Sequence, residues 1–351
     1  VSDNRILIGR TNGVTGQIAG PVKEMNDGAD AYIAWINRRG GVNGRHIEIV
    51  TLDDRFDPAV TAKNAETLVK ERHVFALFQT RGTPHTQAIL PVLEASRVPL
   101  VAPSTGAAVF HEPVHPLVFN VRAKYQDEVI KAVRHFATSG VQRIALVHVD
   151  DAFGKDGHDG FAKGMDALGL KPAAVVKFDR TKPDIDATVA DVMKADPQAI
   201  VLVASAGTAA PMIKAVRAAG SRAHIMTLSN NSARSFVESV GKDGNGVIVS
   251  QVTPPADLIT TPLGQEFRQA AKENHAVASY AAMEGFISAK VLVEGLQRAG
   301  RNLTREGFIR ALESIRKEDI GGLLLTYGPN RHTGSEYVEL TIIGKDGRFL
   351  R

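Results

Sequence analysis

Residues 75–93 read FALFQTRGTPHTQAILPVL and place a strand, a turn and a helix in immediate succession. Val74 to Phe78 is an unbroken apolar run, and beyond Thr83 the residues Ile89, Leu90 and Leu93 recur at helical spacing. A short strand with no polar alternation is buried on both faces, as in a parallel sheet covered by helices. The connection between strand and helix is Thr80-Arg81-Gly82-Thr83-Pro84-His85-Thr86, richer in hydroxyls than a connection requires. A helix that starts at Thr83-Pro84 turns its orphan N–H groups and the positive end of its dipole toward that turn. Such a turn either caps its own helix or receives a carboxylate, with Thr83 and Thr86 as added donors.

The same rhythm extends in both directions. Strands are expected at 5–9, 46–52, 74–78, 99–101, 143–149, 173–178, 199–204, 224–228 and 246–252, with helical periodicity between them. Asp57 before Pro58 predicts a capped helix start running to about Lys70; Thr304 and Ser279 predict two further caps, and Gly300 a stop. A second hydroxyl-bearing turn, Pro103-Ser104-Thr105-Gly106-Ala107, follows the strand after the first turn. Two such turns on neighbouring strands converge on one spot, which favours a ligand over two separate caps. Near the end the rhythm changes. Residues 335–343 alternate apolar and polar, Lys345-Asp346-Gly347 is a turn signal, and Arg348-Phe349-Leu350 resumes, which reads as a hairpin on an antiparallel edge.

The chain has 351 residues, more than one hydrophobic core usually serves, so two α/β domains are expected. No flexible linker or internal repeat is present, so the crossings between domains are short ordered strands, a geometry suited to a hinge. The net charge of +4 is small and the basic residues are scattered among acidic ones, unlike a nucleic-acid-binding stripe. Cysteine is absent, which removes disulfides, thiol catalysis and thiolate metal sites. The opening VSDNRILIG is polar and enters a strand at once, in keeping with a processed signal peptide.

Motifs for enzymatic chemistry fail on inspection. His111-Glu112-Pro113-Val114-His115 has the spacing of a zinc-protease motif, but Pro113 and Pro116 break the helix that the motif needs. Gly154-Lys155-Asp156-Gly157 lacks the ending of a phosphate loop. It reads either as a turn into a helix or as part of a ligand crevice at a strand's carboxyl end, with Asp150, Asp151 and Phe153 as the side chains concerned. There is no nucleophile elbow, and a hydrolase built on the threonine turn would have only His85 as a nearby base. No catalytic residue, metal or cofactor is expected.

These stretches resemble the type I periplasmic solute-binding proteins of the branched-chain amino acid (Leu/Ile/Val-binding) class. The likeness is carried by ILIGRTNGVTG, GADAYIAWINRRGGVNGRHIEIVTLDD, the Asp57-Pro58 helix start, the threonine-rich turn at Gly82-Thr83, PSTGAA, VFNVRA, RIALVHVDDAFGKDG, IKAVRAAG and SYAAMEGF. The resemblance implies two doubly wound parallel-sheet lobes that close on a ligand through a three-strand hinge. Residues 1–120 with 252–328 would form the first lobe and 121–251 with 329–351 the second, crossing near 120–122, 250–252 and 327–330. It also implies an exported, periplasmic monomer, with no nucleic-acid partner, that hands a small molecule to an ABC importer permease and its ATPase. A cytoplasmic ligand-sensing regulator on the same fold is the competing expectation.

Position by position, the resemblance puts the hydroxyl that grips the ligand carboxylate on Thr83, and the supporting loop on Ser104, Thr105 and Gly106. Phe153 stands where the family has a cleft-lining aromatic, and Gln17 and Ile18 where a loop flanks the ligand side chain. The chain departs from the amino-acid binders at two places. Ser205 replaces a tyrosine, and Ser229 or Asn230 replaces the acid that pairs with the ligand ammonium, leaving Asp150 or Asp151 as the possible substitutes. Unless one of them serves, the ligand is expected to lack an α-amino group, because a desolvated ammonium without a partner costs several kcal/mol.

Overall fold

In the computed structural model, which describes residues 1–351, RILIGRTN forms β1 (Arg5–Asn12) and continues three residues beyond the expected strand. It is followed by α1 (Ala19–Arg38), β2 (His46–Asp53), α2 (Pro58–Glu66), β3 (Ala76–Phe78), α3 (Thr83–Ser96), β4 (Leu100–Val101) and β5 (Val118–Phe119). Then come α4 (Tyr125–Thr138), β6 (Ile144–Val149), α5 (Ala152–Asp166), β7 (Val175–Phe178), α6 (Ile185–Met193), β8 (Ala199–Val203), α7 (Ala206–Ala218), β9 (His224–Thr227), α8 (Arg234–Val240) and β10 (Ile248–Gln251). The chain ends with α9 (Pro262–Asn274), α10 (Tyr280–Ala299), α11 (Arg305–Glu313), the small pair β11 (Glu318–Asp319) and β12 (Leu324–Leu325), and the hairpin β13 (Glu339–Ile343) and β14 (Phe349–Leu350).

Two units result, each assembled from separate stretches of chain: Val1–Ala123 with Thr253–Tyr337, and Lys124–Val252 with Val338–Arg351. Unit 1 holds a five-stranded parallel sheet in the order β2-β1-β3-β4-β5. Unit 2 holds a seven-stranded sheet in the order β14-β13-β10-β9-β8-β6-β7, parallel except for the last hairpin. The third passage of the chain between units lies at Tyr337/Val338, later than the 327–330 read from the sequence. The reason is a strap: Asn120 N–H donates to His332 O (2.7 Å), Gly334 N–H to Asn120 O (2.8 Å) and Ser335 N–H to Val121 O (3.1 Å). Residues 329–337 are thereby sewn to the end of the unit 1 sheet, and the alternating pattern from Ser335 becomes a strand only at Glu339.

The capping chemistry follows the sequence closely. Asp57 accepts from Ala59 N and Val60 N, Ser279 from Ala282 N, and Thr304 from Gly307 N. Beyond α2 the helix continues as a π-helical turn, Thr67–Glu71. The segment 111–115 is not helical: His111 Nδ1 bonds Thr333 Oγ1 (2.7 Å) and His115 Nε2 meets Glu94 (3.2 Å), so the two histidines face different partners.

Unit 1 is locked by α1 against α10. A Cβ at Gly28 would stand 1.9 Å from Ala282 O, and one at Gly285 would stand 1.8 Å from Met25 O. The two helix backbones therefore touch, and no larger residue fits without separating them. Around this contact Ile33, Ala282, Met283, Phe286 and Ile287 are buried with β1 residues Ile6 and Ile8. Gly285→Ala is expected to lower unfolding free energy by about 3 kcal/mol, the upper range for overpacking, as measured by urea titration.

Candidate functional site

The turn after β3 and the turn after β4 are joined by hydrogen bonds. Ser104 N–H donates to Thr80 O (2.8 Å), Gly82 N–H donates to Ser104 O (3.2 Å), and Thr83 Oγ1 lies 2.8 Å from Thr105 Oγ1. Both strands end in a left-handed residue, Gln79 (φ 55°) and Ala102 (φ 54°), so the two connections bend in the same way and stay side by side. Gly82 is the N-cap of α3 and no side chain caps that helix, so Thr83 is the first helical residue and not a cap. The two threonine hydroxyls carry two hydrogens and their mutual bond uses one; the Thr105 oxygen also accepts from Ala107 N (3.3 Å). One O–H donor is left over, beside the N-terminus of a helix, in a buried setting (Thr83 1%, Thr105 0% exposed).

Ser104, expected to support the ligand, also has partners within the protein. Its hydroxyl accepts from Arg81 Nη1 (3.3 Å) and donates to Glu284 Oε1 (3.4 Å), and Arg122 Nη1 lies 3.5 Å from the same carboxylate oxygen. Two buried guanidinium groups and a buried carboxylate thus stand behind the turn, with Ser104 as their bridge. Gly106 is buried between Thr105 and Ala107. At the end of β1 the loop divides: Gln17 is exposed, whereas Ile18 is 2% exposed, with its side chain against Gly13.

The back of the first turn rests on an aromatic stack. Phe56 lies parallel to His85 at 4.3 Å between ring centroids, and a Cβ at Gly82 would meet His85 Nδ1 at 2.5 Å. Gly82 also adopts φ 98°, so glycine is required there on both counts. Phe56 is placed by Asp54, whose carboxylate accepts from Phe56 N (2.9 Å), Thr61 Oγ1 (3.0 Å) and Thr11 Oγ1 (3.3 Å) with no exposure to solvent. Burial pushes the Asp54 pKa up to about 6, against the lowering effect of those donors.

In unit 2, Asp151 caps α5 by accepting from Phe153 N (2.8 Å) and Gly154 N (3.1 Å), and it is ion-paired with Arg180. Asp150 is exposed and 3.3 Å from Lys177 Nζ. Phe153 is buried with its ring 4.9 Å from Tyr125. Ser205 is the N-cap of α7 but makes no side-chain cap bond. Asn230 donates to Ala204 O (3.0 Å). Ser229 donates twice to Glu128, from its N–H (2.9 Å) and its hydroxyl (3.0 Å), and Ser250 Oγ donates to the same carboxylate. Glu128 was missed in the sequence because an acid in the first turn of an amphipathic helix reads as solvated. Arg122 and Glu284 lie in stretches that carried the resemblance and Arg81 in the threonine-rich turn itself, but all three were missed because only the fold brings them together. No group of three or more His, Cys, Asp or Glu side chains is arranged to hold a metal ion.

A two-unit chain of parallel sheets, with hydroxyl-bearing turns at the carboxyl ends of adjacent strands, has the architecture of a type I periplasmic binding protein. The Periplasmic binding protein family model matches residues 5–348, and the chain belongs to that family. It is similar to a substrate-binding periplasmic protein from Ralstonia solanacearum, with 32% identity, 98% of this chain and 99% of that one covered, and a TM-score of 0.92. A possible leucine/isoleucine/valine-binding protein from Rhodopirellula baltica SH 1 gives 25% identity, coverage of 99% and 96%, and a TM-score of 0.93. The Leu/Ile/Val-binding protein of Escherichia coli K12 is 24% identical over 247 residues, which span 68% of this chain and 66% of that relative.

Asp54 sets a pH dependence. An aspartate whose folded pKa is raised from about 4 to about 6 stabilises the fold fully below pH 4, and that contribution is lost as pH rises through 6. Relative to wild type, Asp54→Asn is expected to remove a fall in stability of about 2–3 kcal/mol between pH 4 and 6.5, read from urea midpoints across that range.

Proposed function

We propose that this chain is the extracytoplasmic solute-binding component of an ABC importer, and that it takes a small carboxylate without an α-ammonium group for delivery to the permease and its ATPase. The observation that carries this reading is the joined pair of turns in unit 1, where an uncapped helix N-terminus and one unspent hydroxyl donor coincide. A carboxylate satisfies both, through charge-assisted bonds that are roughly twice as strong as neutral ones. The buried Arg81 and Arg122 beside Glu284 add positive potential on the same side. Family membership supports binding without chemistry.

The absence of an ammonium rests on unit 2. Its carboxylates near the Ser205 and Ser229 turns are engaged: Asp151 by Arg180 and α5, Asp150 by Lys177, and Glu128 by three donors from Ser229 and Ser250. An ammonium at these turns would lose hydration and find these three acids already engaged. The Leu/Ile/Val-binding relative points to ligands of similar size, such as oxo acids and aromatic or aliphatic acids.

A thermal-shift screen of amino acids, α-oxo acids, aromatic acids and short carboxylates, on protein stripped of ligand by unfolding and refolding, identifies the ligand by a rise in midpoint. In direct competition, 4-methyl-2-oxopentanoate or an aromatic acid is expected to bind tenfold or more tightly than leucine or phenylalanine. A tenfold preference for the amino acids would overturn the proposed ligand class. Thr83→Ala is expected to raise the Kd of the best carboxylate at least tenfold in titration calorimetry, because one donor to a charged group is worth about 1.5–3 kcal/mol. An unchanged Kd would reduce the opening turn to a structural feature.

A further inference from the structure

Helix α9 bears a second candidate site on unit 1, lined by none of the residues of the threonine turns. Its start is fixed by Thr261, which accepts from Gly264 N (3.2 Å), after a strap in which Leu258 N–H bonds Pro255 O (3.2 Å). Its end is fixed by His275 in the left-handed region (φ 57°), after which Ala276 N–H returns to Ala271 O (3.1 Å). The strap before the helix and the reversal after it stand as two walls. Between them runs a groove of about 550 Å³, within the range of small-molecule sites.

The groove combines an apolar floor with a basic rim. Phe267 and Ala271 lie on its floor, one turn apart, and Ala276 continues it where the chain reverses. Arg268, Lys272 and His275, spaced at i, i+4 and i+7, follow the same face and are exposed. The acids of α9 do not serve them, since Glu266 is paired with Lys290 on α10 and Glu273 with Arg38 on α1. Arg268 and Lys272 form no ion pair, and Asp257 is the one carboxylate in the lining. Methyl groups on the floor leave room for a methylene chain or a ring, and two permanent cations face one acid at the rim.

We propose that this groove binds an amphiphilic monoanion, with its apolar body on the alanine floor and its anionic head between Arg268 and Lys272. Sodium decanoate, below its aggregation concentration, is the probe, and decyltrimethylammonium is its charge control. Calorimetry on the Thr83→Ala variant, in which the proposed carboxylate site is weakened, is expected to show saturable 1:1 binding of decanoate and none of the cation. In that background Arg268→Glu with Lys272→Glu should weaken decanoate at least tenfold, and Ala278→Trp, which fills the groove from an exposed position, should do the same. Absence of saturable binding in the Thr83→Ala protein, or binding that survives both groove variants, would each overturn the proposal, and neither outcome bears on the carboxylate site at the Thr83 turn.

Discussion

The backbone contact between α1 and α10 is the constraint on which unit 1 depends. Unit 1 is made of two stretches of chain, and α10 belongs to the one that returns after all of α4 to β10 has been laid down elsewhere. Gly28 and Gly285 allow the two helices to meet with carbonyl oxygens where side chains would otherwise stand. That close approach is what brings Glu284, the neighbour of Gly285, up to the turn after β4. A looser helix pair would keep the sheet but would withdraw the carboxylate that holds Ser104 and faces Arg122.

The two turns show how a parallel sheet prepares a donor site. Adjacent strands end at the same level, each with a left-handed residue, and the connections then bond to one another before either helix or loop begins. Because α3 starts on a glycine with no capping side chain, its N–H groups are not consumed by the sequence that precedes it. The rear of the turn is held by a stack of Phe56 on His85, itself aligned by the buried Asp54. A stiff support of this kind keeps donors in place without a bound anion.

Each unit holds a buried carboxylate behind its turns. In unit 1 two buried arginines share the neighbourhood of Glu284, and in unit 2 the buried Glu128 accepts from the Ser229 N–H and from the hydroxyls of Ser229 and Ser250. Two donors from Ser229 and one from Ser250 on the same carboxylate tie the Ser229 loop to α4 and β10. Of the two positions, Ser229 and Asn230, that the resemblance sets against an acid, Ser229 is a donor to an acid lying behind it, an arrangement no alignment of that loop alone reveals.

The sequence by itself determined the alternation of strands and helices, the caps at Asp57, Ser279 and Thr304, and the closing hairpin, because periodicity and capping are local properties. It also marked the Thr83 and Ser104–Gly106 turns as one spot, since neighbouring strands in a parallel sheet bring their following turns together. Strand ends were less legible. β1 runs on to Asn12 because β2 pairs with it along its whole length, a gain visible only once the partner is known. The last passage between units moved to Tyr337 for the same reason, through bonds from residues 332–335 to Asn120 and Val121. Asp151 carried two sequence readings, and only the fold supplied Arg180 as its partner. Arg81, Arg122, Glu128 and Glu284 gained their roles from tertiary structure alone, because the fate of a buried charge is decided by whatever distant segment arrives within hydrogen-bonding distance.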